Sequence, residues 1–232
     1  MVSARRLRRH FFGAYYREDV CERFGATHST WVRPLYWRMH RGIAARRVIF
    51  IHVPRVAGTS VALSLYGGVP VDHHSIRAWE ALEPDFTRLT PSFALLRDPY
   101  AYFASSWRFV RNGGASEMAL SDVFRKMTAH IDGVDAYLDF LEGKPPLDLD
   151  FVMRPQSWFV TDLTTGKPLV DHLFRLDRDA EAIADFIARH GGDPLPHRNR
   201  SIGEPLALTP AQRRRVESLF AADFTLMDLI AT

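Results

Sequence analysis

The sequence predicts an α/β fold, a single domain with a mostly parallel central sheet flanked by helices, and three observations carry that reading. Two runs of branched or apolar residues, "VIFIHV" from Val48 and "SFALLRDP" from Ser92, are each ended by a proline. Continuous apolar runs of this length suit strands buried on both faces. Each run is followed by a segment with helical spacing, and "VDHLFRLDR" supplies a late strand before the helical "DAEAIADFIARHG". Strands that alternate with helices imply parallel pairing through right-handed crossovers.

The elements come in order along the chain. Residues 1–47 form a basic, aromatic-rich lead-in with no clear period, expected to pack on the domain that spans 48–232. After the first strand, Thr59 to Leu65 reads as a helix, "VPVDHHS" as a short strand or loop, and "SIRAWEAL" as a helix. Beyond Pro99 the chain reads helical through "YAYFASSWRFVRN", "MALSDVFRKMTAHI" and "VDAYLDFLEG", punctuated by glycines and "KPP". Near the end Thr209 caps a helix that opens with Pro210.

Composition narrows the function. At 232 residues and 47% hydrophobic content the chain has enough apolar surface for one core. A net charge of +3 favours an anionic ligand but falls short of a nucleic-acid coat, so no nucleic-acid partner is expected. Cys21 is the single cysteine, which excludes an intramolecular disulfide and a thiolate zinc cluster and fits a reducing, cytoplasmic location. No apolar run reaches the ~20 residues that span a bilayer. The arginines of the N-terminus, "MVSARRLRRHFFGAYY", suit either peripheral contact with an anionic membrane or a solvated helix, and the segment after them is too short and polar for a signal-peptide core.

The chemistry concentrates after the first strand, in "PRVAGTS". A glycine turn that opens a helix presents unpaired N–H groups and partial positive charge, which favours phosphate. In the nucleoside-triphosphate loop a lysine follows the last glycine, whereas here Thr59 follows Gly58 and the cation is Arg55. A nucleotide kinase also wants an aspartate directly after the second apolar run, where this chain has Arg97 before Asp98. A cation at a strand's C-terminal end beside an anion loop suggests a second anionic group on one ligand.

"IHVPRVAGTS" resembles the 5′-phosphosulfate loop of sulfotransferases of the carbohydrate, membrane-Golgi superfamily, sulfotransferase family 2-like, which is usually written with lysine in place of Arg55. "LRDPYAYFASSW" resembles their 3′-phosphate motif, with Tyr102 where arginine is common. The likeness continues in order through "MRPQSWFV", "LFRLDR", "HRNRS" and "LTPAQRRRVESLFAADF", so it covers roughly Val48 onward.

This resemblance implies a P-loop-like sulfotransferase fold and the donor 3′-phosphoadenosine-5′-phosphosulfate (PAPS), with no metal. It implies transfer of the sulfuryl group, by in-line displacement, to a hydroxyl of a carbohydrate or glycoconjugate. Arg55 and the N–H groups of Ala57, Gly58, Thr59 and Ser60 would hold the departing 5′-phosphate, and Arg97 with Ser105 the 3′-phosphate. Arg200, in the late loop, would reach the nucleotide or else stand as a solvated cation. His73 is the candidate base because Ser75 follows at the family's spacing, with His74 second; a solvated loop or a helix cap is the structural alternative for the pair. Trp79, Trp107 and Trp158 are either a sugar-stacking surface or core. The alternative function is an impaired relative that binds nucleotide or polyanion without turnover.

Overall fold

The protein is seen here in a computed structural model that describes residues 11–115, 118–196 and 206–230. The strands, in chain order, are β1 (Ile49–Phe50), β2 (Ser92–Leu96), a small antiparallel pair β3 (Gly114–Ala115) and β4 (Met118–Ala119), and β5 (His172–Arg175). β1, β2 and β5 form one open parallel sheet with β2 in the middle. Phe50 stands beside Phe93, and Leu96 beside Arg175. Every β2 residue is buried, as a strand covered on both faces must be. Pairing outruns the assigned β1, since the Ile51 N–H donates to the Phe93 carbonyl at 2.8 Å.

Helices cover the sheet. α1 is Arg17–Tyr36, α2 Arg41–Arg46, α3 Gly58–Tyr66, α4 Ile76–Leu82 and α5 Pro84–Arg88. α6 (Pro99–Arg111) leaves the end of β2, and α7 (Asp122–Met127), α8 (Val134–Glu142) and α9 (Ser157–Val160) precede β5. α10 (Ala180–Arg189), α11 (Pro210–Leu219) and α12 (Ala221–Leu229) complete the chain. Capping explains several boundaries: the Asp98 carboxylate accepts from the Ala101 N–H at 2.9 Å with Pro99 behind it, and Thr209 and Gln212 form a reciprocal capping box around Pro210. The terminal helical run is broken at Phe220, whose φ of −111° and ψ of 25° separate α11 from α12. The segment "VPVDHHS" is a loop.

The lead-in, which showed no clear period, contains the 20-residue α1. Its periodicity is hidden by what it buries: Asp19, Cys21 and Gly25 stand among the inward positions with Val20 and Val32. Gly25 lies against Ala81 and Leu82, which brings α1 close onto α4. Asp19 is fully buried, accepts from the Tyr15 and Tyr16 N–H groups, and pairs with the buried Arg154 guanidinium at 2.7 Å. His28, with φ −136° and ψ 35°, kinks the helix. The arginines before residue 11 that suggested membrane contact lie outside the described residues. Among the described residues no helix is long and apolar enough to cross a membrane.

The buried pair gives a stability test. Asp19→Ala leaves the Arg154 charge in the interior without its partner, so the unfolding free energy should fall by about 3–5 kcal/mol. Urea denaturation measures it. A loss below about 1 kcal/mol, the scale of a solvated pair, would show that this charge is not held in the interior.

Candidate functional site

The loop between β1 and α3 turns on two left-handed residues that are not glycine, Arg55 (φ 63°) and Ala57 (φ 53°). Such residues cost about 1–3 kcal/mol each and persist where the surroundings enforce them. Here the loop swings the chain into α3 so that its first N–H groups open toward the loop. The Ala57 carbonyl accepts from the Ser60 and Val61 N–H groups at 3.0 and 3.1 Å. The Ser60 N–H, expected to serve an anion, is therefore spent within the first turn. The N–H groups of Ala57, Gly58 and Thr59 have no partner among the described residues.

Gly58 is required by a neighbour rather than by its own backbone angle. A Cβ there would lie 1.8 Å from His52 Nε2. His52 is held by its other nitrogen, 2.8 Å from the Val71 carbonyl, which only accepts; Nδ1 therefore carries the proton and Nε2 a lone pair. Burial pushes this imidazole down to about 4, so it is neutral at pH 7.

Arg55 reaches across to α6. Its Nε donates to Ser105 Oγ at 3.3 Å, and its guanidinium lies over the Phe109 ring at 4.9 Å. Arg97, at the end of β2, is gripped through its backbone by a buried amide: Gln156 Oε1 accepts its N–H at 2.8 Å, and Gln156 Nε2 donates to its carbonyl at 2.7 Å. Gln156 is in turn fixed by the fully buried Asp223, which accepts from the N–H groups of both Gln156 and Ser157 at 2.8 Å. Neither Arg55 nor Arg97 forms an ion pair with a described residue. Burial, then the charge of Arg97, lowers the Arg55 guanidinium from its usual range; burial does the same to Arg97. Asp98 serves as the α6 cap rather than as a partner for Arg97.

The two candidate bases part company. His73 stacks on Phe151 (centroids 4.4 Å apart) and meets the tilted His52 ring at 4.0 Å, with Nδ1 2.8 Å from the His52 carbonyl. That bond places its proton on Nδ1 and leaves Nε2 as an acceptor. Burial, followed by His52, holds His73 well below the ordinary imidazole range. His74 is instead buried against Trp37, with ring centroids 4.6 Å apart, Nε2 3.8 Å from the Asp72 carboxylate and Nδ1 without a hydrogen-bond partner among the described residues; burial pushes it down to about 3. Ser75 caps α4 by accepting from the Ala78 N–H and is held twice by Glu22, at 2.8 Å each. The spacing from His73 to Ser75 thus reflects a cap.

Tyr102, which stands where arginine is common in the resembled motif, is fully buried and donates to the Arg154 carbonyl at 2.9 Å. Trp79 and Trp107 are core, packed on Trp37 and Tyr137, while Trp158 is half-buried beneath Arg77. Glu83 is engaged by Arg33 and the Trp37 indole. Arg200 lies outside the described residues. Among the described residues no three His, Cys, Asp or Glu side chains cluster as a metal would need.

Sequence reasoning missed His52 and Gln156. His52 sat in plain view two residues before Pro54, inside "IHVPRVAGTS". No protein-family model matches the chain, and neither the curated proteins nor the solved structures yield a significant match.

The His52–Gly58 contact is testable by paired substitution. Gly58→Ala should destabilise the fold by roughly 1–3 kcal/mol or more, the scale of overpacking a filled site, and adding His52→Ala should recover much of that loss. Thermal unfolding of the single and double variants reads it. Simply additive losses would mean that the ring is not the obstacle.

Proposed function

We propose that this chain is a PAPS-dependent sulfotransferase of P-loop-like fold, acting in the cytoplasm on a hydroxyl of a carbohydrate or glycoconjugate. One observation carries the reading beside the resemblance of the two motifs. Two guanidiniums that form no ion pair with a described residue, Arg55 on the left-handed loop and Arg97 at the end of the adjacent parallel strand, lie close enough to repel one another beside the open end of α3. A ligand with two separated anionic groups relieves that repulsion. The free N–H groups at Ala57, Gly58 and Thr59 suit one of those groups, and Ser105 with Arg97 suits the other.

When bound, the donor supplies a sulfuryl group and a 5′-phosphate leaving group. Arg55 and the α3 N–H groups then stabilise the charge that grows as the sulfur–oxygen bond to that phosphate breaks. His73 Nε2, the acceptor nitrogen fixed by the Nδ1 bond to His52, takes the hydroxyl proton as the new sulfur–oxygen bond forms. Arg97 and Ser105 hold and orient; they take no part in bond making. The lean of Arg55 onto Ser105 and Phe109 favours a second reading, a nucleotide-binding protein without turnover. Release of labelled sulfate ester from sulfur-labelled PAPS separates the two.

Adenosine 3′,5′-bisphosphate should raise the melting temperature without Mg²⁺, by linkage to the folded state, and AMP should do so much less. Equal stabilisation by both, or a preference for Mg-ATP, would remove the proposal.

Replacing His73 by alanine should lower turnover by about 10²–10⁴-fold with nucleotide binding intact. The sign of the pH dependence follows from the lowered pKa. A base works in its neutral form, so its acid limb lies below the ordinary value of 6.5 and turnover should be level from there upward. A limb centred at or above that value would assign the proton to another group.

A further inference from the structure

We infer that Arg108 is a third anion-binding residue of this site, joining Arg97 and Ser105 at the 3′-phosphate end of the ligand. The inference rests on the nucleotide reading and adds to it a residue whose role neither motif assigns. Three facts of position converge. Ser105 and Arg108 stand one turn apart on α6, so they are neighbours on its surface. Ser105, the neighbour of Arg108 on that face, and Phe109, the next residue along the chain, are the two that Arg55 touches, at 3.3 Å and 4.9 Å. Arg97 leaves β2 directly into the first turn of the same helix, with Asp98 capping it. The loop, the strand end and one stretch of α6 therefore meet, and Arg108, half-buried, lies on that stretch of α6.

Electrostatics agree with the position. After burial, Arg108 is the largest influence lowering the Arg97 guanidinium, and it lowers that of Arg55 as well. Asp98 and Asp177 act on Arg97 in the opposite direction, but Asp98 caps α6 and Asp177 is bound by Arg175 at 2.7 Å. Three guanidiniums that feel one another in a partly buried space fit a ligand carrying several negative charges, and a guanidinium's planar fork suits phosphate oxygens. A nucleoside 3′,5′-bisphosphate places one phosphate at α3 and the other against α6. A nucleoside monophosphate at α3 brings no second phosphate to the α6 end.

The test is calorimetric titration of the full chain and its Arg108→Gln and Arg108→Lys variants with adenosine 3′,5′-bisphosphate, AMP and inorganic pyrophosphate. Arg108→Gln should bind the bisphosphate about ten- to a hundredfold more weakly, the worth of one hydrogen bond to a charged group, with AMP little changed. Arg108→Lys should fall between, and the salt dependence of bisphosphate affinity should be shallower in Arg108→Gln than in the parent chain. If the parent binds bisphosphate and both variants bind it equally well, Arg108 is not a ligand contact and the inference falls while the nucleotide reading stands. If the parent binds pyrophosphate through Arg108 but shows no preference for bisphosphate over AMP, the third cation stands and the nucleotide reading falls. If the parent binds none of the three, both fall. An Arg108→Gln variant that loses AMP and bisphosphate equally also overturns the inference, because a residue at the 3′ end would not act on both; Arg108→Lys, which keeps the charge, then shows whether the fold or the charge was lost.

Discussion

The geometry of the site depends on one buried amide. Gln156 fixes the backbone of Arg97 from both sides, and Asp223 fixes Gln156, so the direction in which the strand-end arginine leaves the sheet is set by α12. Ladder hydrogen bonds would ordinarily place such a residue, but β2 ends at Leu96. Burying a carboxylate to this end is costly unless its oxygens are satisfied, and Asp223 meets the condition with two backbone N–H groups. Burial raises its carboxyl from the ordinary range while those bonds oppose the rise. The strand end is held in this way through its backbone, and Arg97 forms no ion pair with a described residue.

A second economy lies in His52. Its ring fills the space that a side chain at Gly58 would take, and its carbonyl sets the proton on His73. One residue thereby links the anion loop to the candidate base, and the two are positioned by the same turn after β1. Both rings are held below the ordinary imidazole range, chiefly by burial, and so are neutral at pH 7.

The parts of the fold legible in the sequence were those whose burial shows as an unbroken apolar run or whose ends carry a capping residue. β2 and α6 are examples, and Thr209 before Pro210 marked α11. α1 was illegible because its inward face carries an aspartate, a cysteine and a glycine; Asp19 is explained by Arg154 and Gly25 by Ala81 and Leu82, both distant along the chain. Glycine, cation and hydroxyls marked the loop as a candidate site in the sequence, but not which of its N–H groups lack a partner among the described residues, since Ser60 closes a local turn. His73 and His74 looked interchangeable; the difference lies in Phe151 and Trp37, far from them along the chain. Gln156 gave no signal, because the residue it serves is 59 positions earlier.

The pairing of Asp19 with Arg154 spans 135 positions. The carboxylate is made long before the guanidinium that balances it in the interior, so this part of the core closes only across a large separation along the chain. Contacts of such separation are associated with slow folding.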